Sequence, residues 1–292
     1  MQRDATPRRS VLYMPGSNER ALEKGKTLDA DALILDLEDA VAPDAKQTAR
    51  EQVMAAVSGG GYGAREIIIR INGLVTPWGF DDLMMAAHSG ADAILLPKVE
   101  SADMVRSAAD LIEQAAPRSK SAVWCMMETP RGILNAEEIA GASSRLAALV
   151  MGTSDLAKDL HCAHTPTRLP MLYGLSRCLI AARANGLAII DGVHLDLDDA
   201  EGFRRQCEDG RDFGFDGKTL IHPKTIATAN TVFAPDSAAV EWSRRVIEAH
   251  EQATARSEGV VLLDGKLIEN LHVEDAHRIV AMAEAIEARK GS

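Results

Sequence analysis

The chain has 292 residues, of which 46% are hydrophobic and 4% aromatic, and its formal net charge at pH 7 is −11. This length suits one large domain with an aliphatic core, and the acidic balance argues against a nucleic-acid-binding protein, which would carry a basic excess. No apolar signal region opens the chain and no run approaches the roughly 18 apolar residues of a membrane span. We therefore expect a cytoplasmic protein without a membrane partner.

Short apolar runs of strand length alternate with longer amphipathic stretches along most of the chain, as is typical of parallel βαβ units. The predicted strands are residues 11–15, 32–38, 66–72, 93–99, 122–128, 147–152, 187–193 and 216–221. The predicted helices include residues 19–28, 46–57, 101–115, 135–141, 170–185 and 198–212. About eight such units predict an α/β fold, a (β/α)8 TIM barrel. A doubly wound open sheet is less favoured, because polar residues end nearly every strand instead of collecting at one switch point.

The last part of the chain is more than a barrel needs. After the eighth strand, the sequence predicts an outer helix led in by Pro235-Asp236, a short hairpin-like segment VVLLDGKLIEN, and a final helix. We therefore predict a catalytic barrel at residues 1–233 and a small, largely helical C-terminal extension at residues 234–292. In an oligomer, this extension could cover the mouth of a neighbouring subunit's active site.

Polar residues follow the predicted strands at their carboxyl ends, where a TIM barrel carries its active site. In chain order they are Asp36, Glu38, Asp39, Arg70, Asn72, Lys98, Glu128, Asp155, Asp191 and His222. Glu128 and Asp155 follow neighbouring strands, and two carboxylates that leave positions for substrate and water suit an octahedral Mg²⁺ site. The pattern predicts an enzyme with a metal at one end of the barrel.

Several of these residues also have a purely structural interpretation. Glu128 could pair with Arg131 three residues later, and Asp155 could cap the helix that follows it, although a cap at a strand end would still point toward the site. Asp36 and Glu38 alternate along one predicted strand and should share a face, whereas the next residue, Asp39, would point the other way if the strand continued.

Other chemistries are possible at the same rim. A lysine Schiff base would use Lys98 or Lys218, but acidic neighbours keep a lysine protonated and poorly nucleophilic, so Lys98 is better explained as a partner of a site carboxylate. A zinc site in the segment HCAH at residues 161–164 falls short of the four ligands of a structural zinc site. His222 could act as a general base, but packing at the barrel rim is the simpler interpretation.

Eight segments along the chain carry a specific resemblance. They are SVLYMPGSNERALEKG, ADALILDLEDAVAPDAK, IIIRING, ILLPKVES, METPRGI, MGTSDLAKDL, IIDGV and GFDGKTLIHP. Together they resemble citrate lyase β-subunit-like proteins, a group that includes the malyl-CoA, β-methylmalyl-CoA and citramalyl-CoA lyases, from about residue 9 to residue 282. The resemblance implies a (β/α)8 barrel, Mg²⁺ dependence, and a trimeric or hexameric homo-oligomer. It also implies reversible cleavage of a 3-hydroxyacyl thioester to acetyl-CoA or propionyl-CoA and a 2-keto acid.

The resemblance further implies roles for individual residues. Glu128 and Asp155 match the metal ligands, and Arg70 matches the arginine that holds the carboxylate and oxygen of the keto acid, with Glu128 also close to the substrate. The residues that match those hydrogen-bonded to the metal's waters are Asp36, Glu38 and Asp39.

Two further segments bear on substrate binding and proton transfer. Arg20 and Lys26 lie in the stretch that resembles the CoA-contacting segment, with Lys24 as an alternative. The family usually has a C-terminal GKxID motif, whose aspartate reaches into the adjacent subunit's site as a proposed proton-transfer group. This chain reads GKLIE there, so Glu269 takes that place with its carboxylate one methylene further out.

The sequence therefore predicts a Mg²⁺-dependent carbon–carbon lyase that acts on citramalyl-CoA or malyl-CoA, with an acyl-CoA and pyruvate or glyoxylate as its partners. A malyl-CoA-type thioesterase is the first alternative, in which Glu269 would position water. A citrate lyase β subunit that acts on an acyl-carrier thioester is the second.

Overall fold

The computed structural model describes residues 5–255 and 261–290. These residues divide into two compact units, with the boundary between Phe233 and Ala234. The larger unit contains residues 8–233, and residues 5–7 group with the C-terminal residues in the smaller one. The barrel unit therefore begins at Arg8, not at the first residue as expected.

Eight parallel strands close into a barrel in chain order, which confirms the predicted fold. They are β1 (Ser10–Pro15), β2 (Ala32–Asp36), β3 (Glu66–Arg70), β4 (Ala93–Leu96), β5 (Ala122–Met127), β6 (Leu146–Met151), β7 (Ala188–Asp191) and β8 (Gly217–Leu220). The first and last strands pair with each other, with Ser10 opposite Lys218. This closing pair excludes the open-sheet alternative.

Helices follow the strands around the barrel. They are α1 (Glu19–Gly25), α2 (Lys46–Gly59), α3 (Gly79–Ser89), α4 (Ala102–Ala115), α5 (Pro130–Leu134), α6 (Ala136–Ala140), α7 (Thr153–Asp159), α8 (Leu172–Ala184), α9 (Ala200–Phe213) and α10 (Ile226–Val232). Short 3-10 helices lie at Pro43–Ala45, Leu169–Met171 and Pro223–Thr225.

Side chains along the barrel strands alternate between the barrel interior and the helix layer. Ile34 and Ile68 belong to the interior cluster, whereas the residues beside them on each strand pack in the larger cluster toward the helices. Continuing this alternation to the carboxyl ends of the strands puts Asp36, Arg70 and Glu128 on the interior side. The regular pattern of the core therefore aims these three polar side chains at one end of the barrel.

Two element boundaries differ from the prediction for identifiable reasons. Strand β2 ends at Asp36, because the Asp36 carboxylate accepts hydrogen bonds from the N–H groups of Glu38 and Ala40 and turns the chain out of the sheet. The segment after β8 holds two helices where one, led in by Pro235-Asp236, is predicted: α10 ends at Val232 and the next helix begins at Ser237. Proline has no N–H to donate and disfavours helical geometry in the residue before it.

The smaller unit contains α11 (Ser237–Ala255), the antiparallel strands β9 (Val261–Leu263) and β10 (Lys266–Ile268), and α12 (Asn270–Lys290). The predicted hairpin is confirmed, and its turn is formed by Asp264 and Gly265, with φ angles of 49° and 75°. Two adjacent residues with positive φ are typical of the tight turn that suits the twist of a hairpin. None of the described helices is both long and apolar enough to cross a membrane.

A buried ion cluster ties β7 and β8 to the loop that follows α7. Asp191 accepts a hydrogen bond from Arg168 Nη1 at 2.6 Å and another from Lys218 Nζ at 2.8 Å, and all three side chains are buried. Burial favours the neutral acid, but the charges of Lys218 and Arg168 outweigh it and hold the pKa of Asp191 below its usual range. The cluster lies on the helix side of the barrel, because a Cβ atom on Gly210 of α9 would lie 3.1 Å from Asp191 Oδ2.

We expect Asp191→Asn to destabilise the barrel strongly, because it leaves two buried cations without a carboxylate. Breaking a buried ion pair on one side typically costs about 3–5 kcal/mol, which thermal or urea unfolding would measure. Glu201→Gln is the control, since Glu201 pairs with Arg204 on the exposed surface of α9 and its loss should leave the unfolding midpoint unchanged. Equal effects of the two substitutions would contradict the importance of the buried cluster.

Candidate active site

Arg70 at the end of β3 is held in place by Asp36 at the end of β2. Its guanidinium donates from Nε to Oδ1 and from Nη2 to Oδ2, both at 2.6 Å, and both side chains are buried. The ring of Tyr13 on β1 lies beneath the guanidinium, with its centre 4.9 Å from Cζ. Asp36 therefore takes the Nε edge of the fork, and the outer edge consists of Nη1, which lies 3.0 Å from Glu38 Oε2, and the second N–H of Nη2. The predicted bidentate grip on a substrate carboxylate is thus confined to that outer edge.

Asp36 has no acceptor capacity left for a ligand. Besides the two bonds from Arg70, its Oδ1 accepts from the N–H of Glu38 at 2.9 Å and its Oδ2 from the N–H of Ala40 at 3.1 Å. A carboxylate has about four acceptor positions, and all four are used. This geometry disagrees with a role for Asp36 in binding a metal's water molecules. The contact that it makes instead is the bidentate pair with Arg70.

Glu38 and Asp39 lie just beyond β2 and both approach Arg70. Glu38 Oε2 lies 3.0 Å from Arg70 Nη1, and Glu38 Oε1 accepts a hydrogen bond from Lys98 Nζ at 2.6 Å. Asp39 Oδ2 lies 3.6 Å from the same Nη1. Asp36 and Glu38 therefore meet at Arg70 as expected, and Asp39 does so too, because the strand that would have turned it away ends at Asp36.

Lys98, after β4, pairs with the acidic side chains as predicted. Its Nζ lies 3.4 Å from Asp155 Oδ2 and 4.0 Å from Asp39 Oδ1, in addition to its bond with Glu38. Burial lowers the pKa of Lys98, but the hydrogen bond and the negative charge of Glu38 outweigh it, so the pKa lies above its ordinary value. A lysine held in the ammonium form is a poor nucleophile, which argues against a Schiff base at this position.

Glu128, after β5, is the most unusual acid of the rim. Its Oε1 accepts a hydrogen bond from the backbone N–H of Lys98 at 2.7 Å, and no ion pair among the described residues joins it to Arg131. Burial and the nearby negative charge of Glu38 raise the pKa of Glu128 to about 7. Gly152 at the end of β6 leaves space for this carboxylate, since a Cβ atom there would overlap Glu128 Oε2.

Asp155 lies in the first turn of α7 and does not cap it. The helix begins at Thr153, its N-cap residue is Gly152, and no side chain makes the capping bond, so the capping interpretation is wrong. The Asp155 carboxylate is instead partly exposed and directed toward Lys98. A carboxylate in this position is also favoured by the N-terminal end of the helix dipole.

The donor set at this rim fits a hard divalent cation. Glu128 and Asp155 both contact Lys98, so one residue bridges the two predicted metal ligands. Glu38 Oε2 is buried and has no well-aligned hydrogen-bond donor among the described residues. No group of three or more His, Cys, Asp or Glu side chains in the described ranges converges in metal-binding geometry. Mg²⁺ commonly takes one or two protein carboxylates and completes its octahedron with substrate and water, which these oxygens allow.

Two supporting residues were missed by sequence reasoning. Lys46 is a buried lysine of α2 whose Nζ donates to the carbonyl oxygens of Leu37 at 2.8 Å and Glu38 at 2.7 Å, which fixes the turn after β2. No local pattern marks a lysine in the first turn of a helix for this role. Tyr13, which lies under Arg70, could have been predicted from the sequence, because it occupies one of the alternate positions of β1 that face the barrel interior.

The two predicted CoA-contacting residues lie at different heights along the barrel. Arg20 is exposed in the first turn of α1, next to the carboxyl end of β1. Lys26 follows the end of α1, where its Nζ pairs with Glu23 at 2.8 Å and lies 5.7 Å from the ring centre of Tyr62. Tyr62 belongs to the connection that enters the amino end of β3. Lys26 therefore lies beside the chain segment that leads into β3, and contact of Arg20 or Lys26 with CoA remains a prediction.

Glu269 belongs to the smaller unit, between β10 and α12. Its side chain is exposed, and its backbone N–H donates to His272 Nδ1 at 3.0 Å. Its role in a neighbouring subunit's site remains a prediction.

The other candidates of the rim have structural roles in the barrel. Lys218 is fully buried against Asp191 on the helix side of β8, which excludes it as a Schiff-base lysine in the barrel interior. His222 is exposed, and its Nδ1 accepts the N–H of Lys224 at 3.1 Å, so it caps the short helix after β8. The segment at residues 161–164 is largely exposed and joins no metal-binding group among the described residues.

The closed barrel with its acidic rim places this chain among the (β/α)8 barrel enzymes. It belongs to the HpcH/HpaI aldolase/citrate lyase family, whose pattern matches residues 9–223. The chain is 52% identical to a (3S)-malyl-CoA thioesterase of Cereibacter sphaeroides, over 99% of both chains. It is 35% identical to an L-malyl-CoA/β-methylmalyl-CoA lyase of the same species, over 97% of both.

Among solved structures, the chain is similar to the protein CitE of Mycobacterium tuberculosis in complex with magnesium, acetoacetate and coenzyme A. The TM-score is 0.72 and the sequences are 28% identical, with 97% of this chain and 100% of the other covered. The likeness extends over both units of the chain.

The raised pKa of Glu128 predicts a pH-dependent effect of Glu128→Gln on stability. A shift from 4.5 to about 7 means that the folded state favours the protonated acid, so this stabilisation is complete below pH 4.5 and is lost as the pH rises through 7. Without a divalent cation, the buried ionised carboxylate then costs roughly 3 kcal/mol, and glutamine removes that cost. Urea unfolding in EDTA should therefore show the variant gaining stability relative to wild type between pH 5.5 and 8.5.

The exposed carboxylate of Glu138 on α6 provides the control for that experiment. Glu138→Gln should change the stability equally at both pH values. A difference between Glu128→Gln and wild type that stays constant with pH would contradict the proposed burial effect.

Proposed function

We propose that this chain is a Mg²⁺-dependent hydrolase of a 3-hydroxyacyl-CoA thioester of the malyl-CoA type. The observation that carries the proposal is the convergence of Arg70, Glu128 and Asp155 on one end of the barrel. The choice of hydrolysis is supported by the 52% identity to the (3S)-malyl-CoA thioesterase, against 35% to the malyl-CoA lyase. This reverses the order that the sequence suggested, in which carbon–carbon cleavage came first.

A Mg²⁺ ion held by Glu128 and Asp155 would supply Lewis-acid stabilisation of a substrate oxygen. Around it, Glu38 Oε2 offers a buried acceptor for a bound water molecule. The excess of carboxylates over cations at the rim favours a divalent cation there. The same excess would disfavour an anionic substrate without the cation, so cation and substrate should bind together.

Arg70 is the group best placed to receive the substrate's carboxylate or its adjacent oxygen. Asp36 and Tyr13 fix the guanidinium, so its outer edge is presented in one orientation before any ligand arrives. A planar arginine that is already positioned loses little conformational freedom on binding. Orientation of the substrate is therefore the contribution that this side chain makes.

Hydrolysis and carbon–carbon cleavage make similar demands on this site. In hydrolysis, water adds to the thioester carbonyl, the carbon–sulfur bond breaks, and free CoA and the hydroxy acid are released. In cleavage, the hydroxyl group loses its proton as the carbon–carbon bond breaks, and the resulting thioester enolate takes up a proton. Negative charge collects on the thioester oxygen in both reactions, so one set of cationic groups serves either.

The proton-transfer group that separates the two reactions is the least defined part of the site. We propose that Glu269 of a second copy takes this role, in a homo-oligomer such as a trimer or hexamer. Its longer side chain, compared with the family's usual aspartate, would be compatible with positioning a water molecule.

The products of purified protein with malyl-CoA and with each enantiomer of citramalyl-CoA test the proposal. Each reaction is run with Mg²⁺ and with EDTA, and free thiol, hydroxy acid and keto acid are quantified separately. We expect Mg²⁺-dependent release of free CoA with intact hydroxy acid. Acetyl-CoA with glyoxylate or pyruvate would instead establish the lyase, and activity restricted to acyl-carrier thioesters would identify a citrate lyase β subunit.

Arg70→Lys should lower kcat/KM by at least about 100-fold, because lysine cannot keep the fork to Asp36 and also present an outer edge to substrate. Arg9→Lys is the matched control, since Arg9 forms the same bidentate pair with Asp31 at the amino end of the barrel. Both variants lose a bidentate ion pair. Only Arg70→Lys should lose more activity than the change in its unfolding midpoint explains. Comparable losses of activity in the two variants would contradict the role given to Arg70.

A further inference from the structure

Lys98 contacts nearly every acid of the rim. Its backbone N–H donates to Glu128 Oε1 at 2.7 Å, and its ammonium donates to Glu38 Oε1 at 2.6 Å. The same ammonium lies 3.4 Å from Asp155 Oδ2 and 4.0 Å from Asp39 Oδ1. One residue therefore connects carboxylates that come from β2, β5 and α7.

The backbone of Lys98 adopts a conformation that is unfavourable for its residue type. Its φ angle is 48°, in the left-handed region that glycine occupies readily and a side chain with a Cβ atom does not. This conformation accompanies the two-sided contact, with the N–H bound to Glu128 and the ammonium bound to Glu38. Strain of this kind at a site is maintained only when the surrounding contacts over-determine it.

The charges at the rim explain what the ammonium contributes. The carboxylates that face each other there are Asp36, Glu38, Asp39, Glu128 and Asp155, and the cations among them are Arg70 and Lys98. Arg70 forms its bidentate pair with Asp36 and lies beside Glu38 and Asp39, which follow β2. Lys98 is the cation that contacts Asp155 and, through its N–H, Glu128, which are the carboxylates proposed to bind Mg²⁺.

We propose that Lys98 is a positioning residue in which backbone and side chain act separately: the N–H orients Glu128, while the ammonium and a divalent cation are alternative counterions for Glu38 and Asp155. The inference rests on the proposed function for the location of the cation. A divalent cation held by Asp155 would share that carboxylate with the Lys98 ammonium, which lies 3.4 Å from Oδ2, and the two positive charges would repel each other. The ammonium would then turn away on cation binding, so the lysine lowers cation affinity while it holds the carboxylates together in the absence of the cation.

Four variants separate these contributions. Lys98→Met and Lys98→Gly both remove the ammonium and keep the N–H, and glycine also relieves the left-handed backbone. Lys98→Arg retains a cation. Lys158→Met is the matched control, because Lys158 is an exposed lysine of α7, the helix that carries Asp155.

The measurements are calorimetric titration with Mg²⁺ alone and thermal unfolding in EDTA. We expect Lys98→Met and Lys98→Gly to bind Mg²⁺ about tenfold more tightly than wild type, a moderate effect because the ammonium is half exposed. Both should melt at a lower temperature than wild type in EDTA, with glycine less affected than methionine, and Mg²⁺ should raise their midpoints more than that of wild type. Lys98→Arg and Lys158→Met should resemble wild type.

The opposite results are equally specific. Unchanged or weaker Mg²⁺ binding by folded Lys98→Met and Lys98→Gly, with normal binding by wild type, would overturn this inference and leave the proposed function intact. A wild type that takes up no Mg²⁺ would overturn the cation site of the proposed function and this inference with it. A residue that only stabilised the fold would lower the melting temperature without raising cation affinity.

Discussion

The bidentate pair between Arg70 and Asp36 is the interaction on which the rest of the rim depends. It spans the ends of β2 and β3, and the same carboxylate accepts the N–H groups that turn the chain out of β2. That turn places Glu38 and Asp39 beside the guanidinium. Because Asp36 is saturated, it cannot exchange partners when a ligand arrives, and the arginine keeps a constant orientation.

The barrel was predictable from the sequence because its strands are apolar on both faces and its helices are amphipathic. Those patterns are local, so eight strands could be located within a few residues. The boundary of β2 could not, since it depends on the Asp36 side chain bonding to its own backbone. Helix α3 (Gly79–Ser89) was not among the predicted helices. It begins at Gly79, and no side chain makes a capping hydrogen bond at its N-terminus.

The site was predictable to the extent that it follows strand ends. Asp36, Arg70 and Glu128 lie at interior positions, and the alternation of side chains along their strands is enough to bring them together. The hydrogen bonds were needed to distinguish a possible metal ligand from a residue that supports Arg70. Asp36 and Glu128 look alike in the sequence, but the acceptor positions of the Asp36 carboxylate are all filled, whereas those of Glu128 are not. Lys46 and the double contact of Lys98 depend on tertiary geometry that no pattern encodes.

Two ion clusters in the same barrel show opposite uses of charge. On the helix side of β7 and β8, one carboxylate is buried with two cations, and the arrangement holds strands and a loop together. At the carboxyl ends of β2 to β6, carboxylates outnumber cations, and Asp39 and Asp155 among them are partly open to solvent. The first cluster is internally bonded, whereas the second has an excess of acceptors and is suited to receiving a ligand.

The glycines at the ends of β6 and β7 restrict how this site can be redesigned. A Cβ atom on Gly152 would overlap Glu128, and one on Gly192 would overlap the side chain of Thr153. Enlarging either residue to narrow the substrate range would first displace its neighbours and only then affect the substrate. Ile221, which follows β8, is instead 41% exposed. Engineering of substrate preference should therefore begin at an exposed position such as Ile221 and leave these two glycines unchanged.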